Sequence, residues 1–245
     1  MPQVFPCLLL FFYWTYRCLI VPSIGKKVFQ KAPTATPRKN YYTGAMLNYF
    51  YLAIIAVPTA ALSRIPVFGS IHVDLKLSLL AFGFLAVCML LIDPLEWKYT
   101  DANIKQSLSN YIPRTAAERI AWFAVSLITA ISEEIVYRAV FFGIAYELTG
   151  NYWAGAVISA VLFTIANIRQ GLMVLPSTFF VGLGLQYFVK LSGGLYVSIA
   201  IHFFHNYVNG IIYGELCKKT LERETAKGLS QEHPAMSDTN LTTIL

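Results

Sequence analysis

Apolar residues in this chain gather into runs of near-membrane length, separated by shorter polar stretches. The runs cover 4–21, 45–62, 75–92, 117–148, 152–168, 172–189 and 193–213. A helix needs ~20 apolar residues to cross a bilayer, so most of these fit one span each with little slack. Run 117–148 is too long for one upright span and has to tilt, break or hold an interfacial part. Only helices or closed barrels satisfy every backbone group in lipid. The pattern therefore predicts an all-α, polytopic membrane helical bundle of about seven transmembrane spans.

Between the runs, 22–44 mixes Lys, Pro, Thr and Gly, the makeup of a solvated linker. The stretch 93–117 opens like a helix and ends in "YIPRTAAER", where Thr115 and Glu118 fit an N-terminal capping box for the next span. The divisions that follow are an anchor span and basic linker (1–44), two spans and a loop (45–117), a core (118–213) and a polar tail (214–245). The tail is expected to lose order beyond about Lys227.

Composition agrees with lipid as the solvent. The chain is 56% hydrophobic and 13% charged, whereas soluble chains average roughly a quarter charged residues. Its mean hydropathy is +0.55. Placing 22–44, 93–117, 169–171 and the tail on one side collects thirteen Lys and Arg there, against Arg64, Lys76 and Lys190 opposite. That split is the positive-inside pattern and predicts an outer N-terminus and a cytoplasmic C-terminus. The net charge of +6 thus reads as topology. No basic stripe is interleaved with aromatics, so lipid is the expected partner and nucleic acid is not. Run 4–21 lacks a basic leader and a small-residue cleavage site, which makes it an uncleaved anchor. Cys7, Cys18, Cys88 and Cys217 are scattered without a CxxC and read as apolar residues.

Three charges interrupt the fourth run in "AISEEIVYRAV": Glu133, Glu134 and Arg138. Each costs ~2.5–3.5 kcal/mol at mid-bilayer on the insertion scale. Glu134 and Arg138, at i and i+4, can neutralise each other. Glu133 is left over, about 100° round the helix, on the face of Thr129 and Tyr137. A desolvated carboxylate without a partner has the chemistry of a general base. An inert polar clamp between helices explains these three residues equally well.

The last run tips that balance. In "SIAIHFFHNYVNG", Ser198, His202, His205, Asn206 and Asn209 fall within roughly one 100° arc. A polar stripe on a membrane helix faces protein or a wet cavity. In "LFTIANI", Phe163 and Asn167 share a face with Ala156 and Ala160, small residues that let helices approach closely. Asn167 is then either helix glue or part of the site.

Taken together, "EEIVYR" (133–138), "FTIAN" (163–167) and "HFFHN" (202–206) resemble the ordered motifs of the CPBP intramembrane proteases. That family includes the type II CAAX prenyl endopeptidases and the bacteriocin-processing and self-immunity proteins. The resemblance covers about residues 118–210. It implies that Glu133 activates a water, that His202 and Asn206 stabilise the oxyanion, and that Arg138 holds Glu134, with Tyr137 and Phe163 in support. One position departs: Asn167 stands where the family has a His. An amide cannot take a proton or bind a metal as imidazole does. His205, with Asn209, is the alternative donor on the same arc. The resemblance also raises zinc, for which the chain offers few convergent imidazoles, and the cofactor stays open.

The expected function is an intramembrane endopeptidase cutting near the membrane surface, with peptides or prenylated CAAX proteins as substrates. The expected location is the endoplasmic reticulum in a eukaryote or the plasma membrane in a prokaryote. A pseudoprotease that binds or scaffolds is the alternative. A small proton-coupled carrier is a third reading, since buried Glu and His also mark proton relays.

Overall fold

The computed structural model describes residues 4–16, 38–100, 105, 112–168 and 171–232. Among these residues it is helical without strands, in seven helices. They are α1 (Val4–Thr15), α2 (Arg38–Leu62), α3 (Leu75–Tyr99), α4 (Ala116–Thr149), α5 (Tyr152–Ala166), α6 (Leu175–Ser192) and α7 (Tyr196–Glu232). A 3-10 turn, Leu172–Val174, leads into α6. Four spans, Asn40–Leu62, Leu75–Tyr99, Ala116–Thr149 and Leu172–Ser192, are long and apolar enough to cross a membrane. Helix α5 is apolar but shorter, and α7 carries the polar stripe. Leu79, Phe82, Leu90, Leu91 and Phe180 are 62–72% exposed. In water such a surface is an aggregation liability; in lipid it is the solvated face.

Several helices outrun the apolar patterns. Helix α2 begins at Arg38 rather than 45. Helix α3 runs past 92 to Tyr99. Its π-helical stretch, Cys88–Ile92, lies just before Pro94, and a wider register there accommodates a residue with no N–H to give. Helix α7 passes both 213 and Lys227 to reach Glu232, through a segment rich in the helix formers Glu, Lys, Leu and Ala. Most of the linker and the tail beyond 232 lie outside the described residues.

The long fourth run is neither broken nor split. It is one helix whose register widens to π over Glu134–Phe141, and such stretches concentrate at functional sites. Its start is the expected capping box: Thr115 Oγ1 accepts from the Glu118 amide at 3.2 Å, and Glu118 Oε2 accepts from the Thr115 amide at 3.0 Å. The Ser159 hydroxyl on α5 donates to the Tyr137 carbonyl within the π stretch. Trp14 on α1 donates to the Tyr137 hydroxyl at 2.9 Å, so α1 is fastened to the same segment.

The loops sort into two ends. At one, Gly69 and Gly194 form an isolated antiparallel bridge, with Ser70 N donating to Gly193 O at 3.1 Å and Leu195 N to Phe68 O at 3.2 Å. Gly69 has φ +64°, and a Cβ on Gly194 would collide with the Phe68 carbonyl, so both positions require glycine. At the other end Glu96 meets Ser177 and Arg119 pairs with Glu215 at 2.7 Å. On the small-residue face of α5, Ala160 packs against Gly182 of α6, which brings the motif-bearing helices close.

Candidate active site

Helices α2 to α7 line a cavity of about 430 Å³. Its apolar wall includes Phe84, Leu85, Val181 and Leu185, and its polar lining includes Glu133, Asn167, His202, His205, Asn206 and Asn209. The sequence candidates on three separate motifs therefore border one space.

The paired carboxylates part company at its wall. Glu133 lines the cavity. Glu134 is fully buried behind it, with Arg138 Nε 3.4 Å from its Oε2 and His202 Nδ1 2.8 Å from its Oε1. The Arg138 contact is a close ion pair rather than an aligned hydrogen bond, because Glu134 Oε2 and both terminal Arg138 nitrogens have no hydrogen-bond partner. The guanidinium instead lies 4.3 Å over the ring of Phe163, a cation–π contact of the kind that gains strength when desolvated. Phe163 also stands edge-on to His202, with centroids 6.0 Å apart. His202 is thus fixed on both sides, and its Nε2 lies 3.6 Å from Glu133 Oε2.

Asn206 borders the same cavity one turn further along α7. Asn167 lines it too, but sits at the C-cap of α5 and donates through Nδ2 to the Phe163 carbonyl at 2.8 Å. Tyr137 is not at the cavity. At 100° per residue it shares a face with Glu133, but the π register turns it into the core against Trp14 and Phe163. Thr129 does line the cavity beside Glu133.

One cavity residue escapes a reading of the runs. Asp93 is buried; His205 Nε2 lies 3.1 Å from each of its oxygens, and Asn209 Nδ2 lies 2.8 Å from Oδ2. Its signal in the sequence was an Asp-Pro pair ending an apolar run, which reads as a boundary. Glu96, one turn further on, lines the same space.

Glu134 occupies His202 Nδ1, position 167 offers an amide, and among the described residues no group of three or more His, Cys, Asp or Glu is placed to hold a metal ion.

Residues 115–208 match the family described as Rce1-like, type II CAAX prenyl endopeptidase Rce1-like. The segment is Rce1-like. It runs from the α4 cap through the last motif, and the family is the one that the three motifs resemble. No curated protein and no solved structure matches the chain significantly. With its membrane-length helices the chain is an integral membrane protein, and its segment 115–208 is similar to a membrane-endopeptidase family.

Proposed function

We propose that this protein is an intramembrane endopeptidase in which Glu133 activates the attacking water, with prenylated CAAX C-termini as the substrate class. The observation that carries this reading is the division of labour at the cavity wall. Glu134 is committed to Arg138 and His202, whereas Glu133 faces the space where a peptide would lie. At 3.6 Å apart, Glu133 Oε2 and His202 Nε2 can both touch one water held between them. Glu133 takes a proton from that water, and the hydroxide attacks the peptide carbonyl carbon. Asn206, on the same helix as His202, is the donor proposed for the developing oxyanion. With the basic segments cytoplasmic, as their charge bias suggests, a lipidated C-terminus would reach the cavity from that side.

Position 167 favours a second reading. An amide bonded back to its own helix supplies no acid–base chemistry, as expected of a scaffold that kept the cavity and lost activity. The test is to incubate purified protein with a prenylated CAAX peptide in heavy-oxygen water. The peptidase reading expects cleavage after the prenylated cysteine and one heavy oxygen in the new carboxylate. An intact peptide, retained by the protein, would favour the scaffold.

A further inference from the structure

Helix α7 carries two interleaved His-x-x-x-Asn pairs, His202 with Asn206 and His205 with Asn209. The family motif uses the first. The second meets Asp93, which lies outside the matched segment.

An ionised carboxylate accepts hydrogen bonds and cannot donate them. His205 Nε2 and Asn209 Nδ2 both reach Asp93, so both donate. With Asp93 ionised, His205 Nε2 carries the proton shared with it and Nδ1 is the atom left to exchange a proton; the 3.1 Å approach of Asn209 Nδ2 to Nε2 is then a non-bonded contact. Among the described residues Nδ1 has no hydrogen-bond partner. The arrangement mirrors His202, whose Nδ1 is taken by Glu134 and whose Nε2 is near Glu133. One helix thus presents two carboxylate-held imidazoles, of opposite tautomer, to one cavity.

We propose that His205, held by Asp93, is the second acid–base group of this cavity and protonates the leaving amine, the work that Asn167 cannot do. The proposal rests on the peptidase reading. After water attacks, Glu133 holds one proton and the tetrahedral intermediate carries the negative charge. As the C–N bond breaks, its electron pair goes to nitrogen, and the protonated His205 gives its Nδ1 proton there. Glu133 then releases its proton to solvent and His205 takes one up, so the cycle consumes one water and returns both groups. Asp93 acts through His205 and is a positioning residue, which orients the ring. The other titratable groups lining this cavity among the described residues are Tyr41 and Tyr49 on α2, Cys88 and Glu96 on α3, Glu133 on α4, and His202 and Tyr213 on α7.

A helix clamp joining α3 to α7 would use the same contacts, so the test reads chemistry rather than folding. Full-length protein in liposomes is assayed on a fluorogenic prenylated CAAX peptide across pH, as wild type, His205→Ala, Asp93→Asn and Glu133→Gln, with and without added imidazole. General acid–base help is worth ~10²–10⁴-fold, so His205→Ala should lose at least about 100-fold in kcat with little change in KM. Added imidazole, which the cavity can hold, should restore part of that loss in His205→Ala and nothing in Glu133→Gln. Asp93→Asn, close in shape, should lower kcat and shift the pH profile. Should His205→Ala fail to fold, Asp93→Asn decides: a wild-type profile overturns the proposal. Wild-type kcat in both variants, or a loss that imidazole does not touch, also overturns it, while a dead Glu133→Gln leaves the peptidase reading standing. Cleavage that does not depend on Glu133 brings down that reading and this one together.

Discussion

Glu133 and Glu134 are adjacent in sequence, yet removing the charge from each has a different cost. Glu134→Gln leaves Arg138 and His202 facing a neutral amide in a buried site, a class of change costing ~3–5 kcal/mol. Glu133→Gln leaves both contacts in place. Thermal unfolding in detergent should therefore show a large loss for Glu134→Gln and a near-native transition for Glu133→Gln; equal losses would contradict the division. At position 167, Asn167→His should raise peptidase activity measurably, since a further imidazole at the cavity wall adds acid–base help to that of Glu133 and His205. An active wild type beside an inactive Asn167→His would make the amide itself the working group. The ion pair was legible in the sequence because uncompensated charge in lipid is too costly to leave unexplained. Asp93 was not, because a carboxylate followed by proline at the end of an apolar run looks like the edge of a span.

At the scale of elements, run lengths located all seven helices, but not where their registers change. Both π stretches lie beside buried acids, Cys88–Ile92 before Asp93 and Glu134–Phe141 starting at Glu134 itself. A wheel drawn at 100° per residue cannot contain them, which is why it put Tyr137 on the face of Glu133. Caps fared better: Thr115 and Glu118 form a contiguous four-residue signal that no tertiary contact has to complete. The π stretch on α4 also makes a prediction. Ser159→Ala removes the hydroxyl that serves the buried Tyr137 carbonyl, and stranding a buried acceptor costs ~1–3 kcal/mol. A melting temperature equal to wild type would show that the segment does not depend on this bond.

For the whole molecule, charge and packing converge on one orientation. The two loops with few basic residues touch each other through the Gly69–Gly194 bridge, and the opposite end, where Glu96 meets Ser177, holds Lys98. A reporter inserted in the 63–74 loop should be inaccessible from the cytoplasm, and one after Leu245 accessible; both on one side would mean an odd number of miscounted spans. The bundle matters because it delivers acids from α3 and α4 and imidazoles from α7 to one cavity beside lipid. That convergence is tertiary, so the sequence could show candidates on each helix but not that they meet. The most direct measurement is the cleavage rate of a prenylated CAAX peptide by reconstituted wild type and by equally folded Glu133→Gln. The account predicts clear turnover by wild type and a loss of at least about 100-fold in the variant. Equal rates in the two would contradict it.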